Sequence, residues 1–332
     1  YEVQRLRTFL GLHLRKFESR DKYFTSKVLF DLLPKLQCLR VLSLSRYSIS
    51  ELPDSIGSLK HLRYLDVSYT SIEMLPESVG SLYNLEVLSL RGCKLLWKLP
   101  LTIGNVRNLQ HLDISDTEQL QEMPSGIRKL TNLQTLTKIA VTKNGGLGLQ
   151  DLRDLSSLCG TLSITVLQNV LEIHDAKEAN LKRKQLDGLM MEWSSNFEDR
   201  QNEELEMDLL EALRPRGCLE SLEIKFYSGT KFPSWLGDQS FSHITKLCLE
   251  DCRKCTCLPT LGQLPLLKNL VIQGMRGVKR IGEEFFKLND CPSLELPFPK
   301  LETLEFNDMP EWEEWFSSGD VMQFSCLREL RI

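Results

Sequence analysis

Leu39-Arg-Val-Leu42-Ser-Leu44, Leu62-Arg-Tyr-Leu65-Asp-Val67, Leu85-Glu-Val-Leu88-Ser-Leu90 and Leu109-Gln-His-Leu112-Asp-Ile114 are one phrase written four times, with starts 23, 23 and 24 residues apart. The second half of each unit returns too, as Leu52-Pro53-x-x-Ile56-Gly57, Leu75-Pro76-x-x-Val79-Gly80, Leu99-Pro100-x-x-Ile103-Gly104 and a looser Met123-Pro124-x-x-Ile127. A unit this short has one apolar side and cannot bury it alone, so the units must stack.

The spacing sets the geometry and marks a leucine-rich repeat. Along an extended chain the fourth and sixth positions of L-x-x-L-x-L share a face and the fifth takes the other. Leu65 and Val67 therefore point into the core while Asp66 faces out. The following turn carries Tyr47, Thr70, Cys93 and Thr117 at position nine, which makes Cys93 a structural ladder residue rather than a reactive thiol. Proline, isoleucine and glycine then return the chain along the convex side in irregular or 3₁₀ conformation. The fold class is an α/β repeat solenoid, a horseshoe with a concave parallel sheet of about thirteen strands.

Outward from this block the period loosens. Arg7 to Leu12 reads as a first strand with Leu10 and Leu12 inward, and residues 23–36 place Phe24, Val28, Leu29, Leu32, Leu33 and Leu36 at helical spacing. Later strands begin at Cys159, Leu186, Leu219, Ile244, Leu267, Leu301 and Leu327, with inward pairs such as Leu162/Ile164, Leu222/Ile224 and Leu304/Phe306. Asp175 to Leu186 reads as a helix opened by an Asp175-x-x-Glu178 capping box, and Asn202 to Leu213 as another. The glycines at 145, 146 and 148 and the acidic run 198–208 are candidate mobile surfaces. The whole is one repeat domain over 1–332: a leading unit 1–38, regular repeats 39–132, and irregular repeats 133–332. The start at Tyr1 and the stop inside a strand pattern suggest a piece of a longer protein.

Composition narrows the function. The 332 residues are 42% hydrophobic and 26% charged with formal net charge −4, which fits a folded protein and disfavours general nucleic-acid binding. No apolar run approaches a membrane span. The ten cysteines form no paired cap framework and no N-x-S/T sequon occurs, which favours an intracellular setting, cytoplasmic with the nucleus as a second location.

The LPxSIGxLxxLRxLDxS block, Leu130-Thr-Asn-Leu-Gln-Thr-Leu136, Ala176-Lys-Glu-Ala-Asn-Leu181, Phe232-Pro-Ser-Trp-Leu236, Leu258-Pro-Thr-Leu-Gly-Gln-Leu-Pro265 and Met309-Pro-Glu-Trp-Glu-Glu-Trp315 resemble the repeat domain of plant intracellular nucleotide-binding leucine-rich-repeat immune receptors of the coiled-coil class. The resemblance covers essentially the whole chain. It implies disease or pest resistance, with the repeats sensing a pathogen or insect effector or a modified host protein and restraining an upstream nucleotide-switch domain. It also implies that ADP or ATP belongs to that upstream domain, with no cofactor in these residues. A ubiquitin-ligase adaptor is the competing reading and would need an F-box-like segment upstream. An extracellular receptor would favour LxGxIP repeats and sequons.

Three constellations invite chemistry. Ser89, His111, Asp113 and Asp66 sketch a hydrolytic triad on neighbouring strands, but on an open face with no oxyanion nest, so the chain reads as no enzyme. Cys252-x-x-Cys255-x-Cys257, with Cys248 and His243, has zinc-like spacing, yet Cys252 takes the position-nine slot and Cys248 faces away from it, so no metal is expected. Lys182-Arg183-Lys184 at a helix end reads as a solvated basic face.

Recognition by surface remains. The outward positions offer Tyr64, Asp66, Tyr69, Arg91, His111 and Asp113 in the regular block, and Glu192, Trp193, Glu223, Lys225, Phe226, Glu250 and Asp251 further on, a mixture suited to a protein ligand. Residues 1–46 hold ten Lys or Arg against four Asp or Glu, while 301–327 hold seven acidic residues and no Lys or Arg. Arg40 and Arg63, at position two of adjacent repeats, are candidates for docking the upstream nucleotide-binding and coiled-coil domains. The fragment alone is expected to be monomeric.

Overall fold

The computed structural model describes residues 5–11, 26–143, 145–196, 203–286, 296–316 and 324–332. They gather into two compact units, Tyr1–Leu158 and Cys159–Ile332. The expectations for Leu12, Phe24 and residues 197–202 lie outside the described residues.

Unit 1 stacks six parallel strands in chain order: β1 (Thr8–Leu10), β2 (Val41–Ser43), β3 (Tyr64–Asp66), β4 (Val87–Ser89), β5 (His111–Asp113) and β6 (Thr135–Leu136), with β7 (Lys138–Ala140) following at once. Leu42, Leu65, Leu88, Leu112 and Leu136 stand in register, each essentially inaccessible to water. β1 departs from the expected register. Phe9, not Leu10, aligns with Leu42, and Leu10 is 53% exposed. The leading unit is in fact Leu6-x-x-Phe9-x-Gly11, with glycine where the sixth-position leucine belongs. The Tyr47 ring fills that space, so that a Cβ on Gly11 would lie 2.2 Å from Tyr47 Cε2.

The convex side is built by the Pro-x-x-Ile-Gly phrase. Pro53, Pro76, Pro100 and Pro124 are extended (φ −64° to −71°) and lead into 3₁₀ turns at Asp54–Ser58, Glu77–Ser81, Leu101–Asn105 and Ser125–Lys129. The third-position Ile56, Val79, Ile103 and Ile127 drop into the core. The glycine after them exists because successive turns touch: a Cβ on Gly104 would sit 2.4 Å from the Gly126 carbonyl oxygen. Side chains tie coil to coil. Asn84, Asn108 and Asn132 donate amide hydrogens to the carbonyls of Lys60, Tyr83 and Arg107, and Glu77 accepts from the Leu101 and Thr102 N–H groups at 3.0 Å. Position nine is the ladder expected of it: Thr70 donates to the Val67 carbonyl at 2.7 Å, Thr117 to Ile114 at 2.6 Å, and Cys93 to Val67 at 3.2 Å. The leading helix is short, α1 (Ser26–Leu32), continuing as a 3₁₀ turn at Leu33–Lys35. Leu29, Leu33 and Leu36 are buried, whereas Val28 is exposed.

Unit 2 contains seven parallel ladder strands: β8 (Cys159–Thr165), β9 (Gln185–Glu192), β10 (Ser221–Lys225), β11 (Lys246–Glu250), β12 (Asn269–Gln273), β14 (Thr303–Asn307) and β16 (Glu329–Arg331). Among the described residues these seven and the six of unit 1 match the thirteen expected strands, β7 standing outside that count. β13 (Arg280–Ile281) and β15 (Glu314–Trp315) form a separate parallel pair. The predicted inward pairs are buried from Leu162/Ile164 to Leu304/Phe306. Between strands lie α2 (Ile173–Ala179) and α3 (Glu203–Ala212). α2 starts three residues before the predicted capping box: Glu172 is its N-cap, Asp175 lies in its first turn, and Asn180 ends it at φ 50°. A 3₁₀ turn at Leu181–Arg183 follows, and Lys184, expected on a solvated face, is buried as the alternation into β9 carries it inside with Leu186. Burial holds its ammonium down at about 8. Glu206 of α3 is buried as well and accepts from the Ser228 N–H and hydroxyl at 2.9 and 2.5 Å. Phe285, Phe286, Phe298, Phe306, Trp315 and Phe324 pack ring on ring behind the last strands.

Position eight obeys a rule that the sequence does not announce. Arg46, Tyr69, Gly92 and Asp116 in unit 1, and Phe226, Asp251, Gly274 and Asp308 in unit 2, all have φ between 48° and 67°. These eight repeats leave their strands through one left-handed residue each.

Candidate recognition face

On unit 1 the outward columns are read directly from the register. Column three is Thr8, Val41, Tyr64, Val87, His111 and Thr135; column five is Leu10, Ser43, Asp66, Ser89 and Asp113. The two aspartates are engaged locally. Asp66 accepts from Ser43 Oγ, Ser68 Oγ and Ser68 N at 2.6–2.9 Å, and Asp113 from Ser115 N, Ser115 Oγ and Thr137 Oγ1 at 2.6–3.3 Å. They fix the turn after each strand while lining the face. Burial and then Asp66 hold the Tyr64 hydroxyl above its ordinary range. The sketched triad does not assemble: His111 Nδ1 meets Thr135 Oγ1 at 3.0 Å, and Ser89 Oγ meets Ser68 Oγ at 2.7 Å. Toward the rim, Arg91 reaches Asp116 at 3.3 Å, and the Arg46 guanidinium lies 4.5 Å above the Tyr69 ring centroid. Arg46 was absent from the expected face, although the repeat alignment puts it in the slot of Tyr69.

On unit 2, Glu192, Lys225, Glu250, Gln273 and Asn307 form one column and Met190, Glu223, Cys248, Val271 and Glu305 the next. Lys225 Nζ is 2.9 Å from both Glu223 Oε1 and Glu250 Oε2. Burial alone would lower that ammonium, but the hydrogen bonds it donates to the two carboxylates override this and hold it above the ordinary lysine range. Glu223, Cys248 and Glu250 place ligand atoms within 4.8 Å of one another. The ammonium already serves the carboxylates, and burial with the two acids pushes the Cys248 thiol up to about 12. Asp251 accepts from Arg253 Nε at 3.0 Å, and Phe226 stands half-buried at φ 55°.

Trp193 requires a correction. It is 1% exposed, with its ring 5.3 Å from Tyr227, and so is not on the face. β9 ends at Glu192 without a left-handed residue at its eighth position, where β10 and β11 turn at Phe226 and Asp251, so alternation puts Trp193 on the inward side with Met191. The zinc-like cysteines are core as well: Cys252 and Cys255 are buried, and Cys255 donates to the Gly229 carbonyl at 3.1 Å.

At position two, Arg7, Arg40 and Arg63 are neighbours through the backbone bonds Arg40 N to Arg7 O and Arg63 N to Arg40 O. All three are exposed. Arg63 pairs with Glu86 at 2.7 Å; among the described residues no carboxylate pairs with Arg40.

Comparison with known proteins agrees with this architecture. The family model of R13L1/DRL21 leucine-rich repeats matches residues 149–275, and that of the Leucine Rich Repeat matches 84–106. The disease resistance RPP13-like protein 1 of Arabidopsis thaliana is 42% identical over 100% of the chain, and the disease resistance protein RGA2 of Solanum bulbocastanum 42% identical over 93%. The chain spans 32% of the length of each of these relatives. Among solved structures, the leucine-rich-repeat ectodomain of the Arabidopsis thaliana membrane receptor kinase GASSHO1/SCHENGEN3, in complex with CASPARIAN STRIP INTEGRITY FACTOR 2, is similar with a TM-score of 0.53 at 18% identity, covering 91% of this chain and 33% of that one. Among the described residues no helix is long and apolar enough to cross a membrane. Identity of 42% over 93–100% of this chain to plant disease resistance proteins, on a stack of leucine-rich repeats, supports a leucine-rich-repeat domain of a nucleotide-binding leucine-rich-repeat resistance protein.

Proposed function

We propose that the chain is the partner-sensing and autoinhibitory module of an intracellular immune receptor, without catalytic activity of its own. The observation that carries this reading is the outward columns: residues of mixed charge and aromatic character held in strict register over an inaccessible leucine ladder. Such a surface loses little entropy on meeting a protein ligand, here an effector or a modified host protein. The ligand solved with a similar repeat ectodomain supports the same use of the scaffold. The module acts in the cytoplasm. ADP or ATP is bound by the upstream switch domain, which docks on the leading repeats through Arg40 and Arg63.

Co-purification tests the docking. Separately expressed upstream domains should be retained by the chain at low salt and released by high salt or by Arg40→Glu with Arg63→Glu. Retention indifferent to both changes removes the electrostatic docking. For the recognition half, Val271→Lys places a charge on a half-exposed outward site of unit 2 and should abolish the resistance response of the full receptor while its abundance is unchanged. A full response from that variant moves the binding surface off the face of unit 2.

A further inference from the structure

The left-handed residue at position eight is where the repeats hold backbone strain. Glycine fills it at Gly92 and Gly274 and aspartate at Asp116, Asp251 and Asp308, residue types that tolerate positive φ, while Val166 and Phe226 hold it singly in unit 2. Arg46 and Tyr69 are there at φ 64° and 57° in consecutive coils. Bulky side chains in this conformation persist only where their surroundings enforce it, and such positions concentrate at functional sites.

The surroundings do enforce it. The Arg46 guanidinium lies 4.5 Å from the Tyr69 ring centroid, and Gly92 packs against the same ring, where a Cβ would come within 2.4 Å of Tyr69 Cδ1. Held between these neighbours, Tyr69 still keeps 43% of its surface open to solvent. Arg91, raised first by its proximity to Tyr69 and then by Asp116, adds a second guanidinium to the row. Among the described residues no carboxylate lies within ion-pair distance of Arg46. The row thus shows hydrogen-bond donors, with the Arg46 fork immobilised by stacking before any ligand arrives.

Resting on the recognition reading above, we infer that Arg46 and Tyr69 form a preorganised anchor for a single Asp or Glu carboxylate on a partner protein. A long acidic run is disfavoured because Asp66, Asp113 and Asp116 share this side of the unit. One carboxylate beside neutral neighbours meets the guanidinium without facing all three.

The test is an array of octapeptides with varied flanking residues, each printed with a central Glu and with a central Gln, and probed with the labelled 332-residue chain. Glu peptides should retain roughly tenfold more protein than their Gln partners, the factor expected of one charge-assisted contact. Arg46→Gln and Tyr69→Gly should erase the preference, and Tyr69→Gly should melt at or above the parent temperature because the strain leaves with the ring. A signal with no Glu-over-Gln preference, a preference that survives Arg46→Gln, or a melting temperature lowered by Tyr69→Gly overturns the anchor. Peptides bound without that preference would leave the recognition reading standing with its anchor elsewhere.

Discussion

Replacing Lys225 with methionine keeps the bulk of the side chain and removes the cation between Glu223 and Glu250. Their carboxylate oxygens lie within 4.8 Å, so two unit charges at an effective dielectric constant of about 40–80 repel by about 1–2 kcal/mol. Two charge-assisted hydrogen bonds also go, each discounted to about 0.5 kcal/mol because the side chains keep 23–33% of their exposure. The cost at pH 7 is therefore about 2–3 kcal/mol, or roughly 4–12 °C in melting temperature for a unit of this size. The sign with pH follows from the raised lysine: its contribution is complete below the unfolded lysine value and is lost only as pH rises through the folded one. Urea melts of parent and Lys225→Met at pH 7 in low and high salt should show a gap that narrows as salt screens the two carboxylates. An equal gap at both would mean that packing, not charge, is what the lysine supplies.

Leu88→Ala removes a side chain stacked in register between Leu65 and Leu112 and should cost about 2–5 kcal/mol by thermal melting. Gly104→Ala, whose Cβ meets the Gly126 carbonyl, should lower the melting point by overpacking worth about 1–3 kcal/mol, while Gly145→Ala, with no neighbour within 4 Å but φ 70°, should cost only the backbone strain. Glu77→Gln should destabilise by about 0.5–1 kcal/mol near neutrality as a lost cap. Burial raises the Glu77 carboxyl but the Leu101 and Thr102 N–H bonds outweigh it, so its folded value is depressed; the parent's advantage is present above the unfolded value and disappears as acid passes through the folded one, which melts at pH 7 and pH 3 will display.

What was legible in the sequence follows from what the core demands. Positions four and six are apolar in all but a few coils, Gly11 and Lys138 being exceptions at position six, so the strands and their inward pairs could be read even where the interval stretched past thirty residues. Two errors share one cause, the assumption that a strand keeps the same length and register in every repeat. The leading unit was read one residue out of register because Gly11 hides a sixth position that Tyr47 fills from the next coil. Trp193 was placed outside because nothing local says that β9 lacks the left-handed residue at which its neighbours turn. Lys184 was invisible for a different reason: a charged triplet looks solvated until the strand after it fixes which member points inward.

The left-handed row shows why function is harder to read than fold in such a chain. The inward positions are constrained by packing, and any coil that breaks them pays in stability, so their identities repeat. Outward positions face only their lateral neighbours, about 4.8 Å away, and tolerate almost any residue that does not repel the next coil. Residues there that cost the fold something are therefore the informative ones. Arg46 and Tyr69 accept positive φ where glycine or aspartate serves in the next two coils of unit 1, and Lys225 is drawn from solvent to be held by two acids. None of the three is needed to stack leucines. A scaffold that displays them at a cost, in each of its two units, has the form of a receptor whose specificity can change by outward substitution while the ladder beneath stays intact.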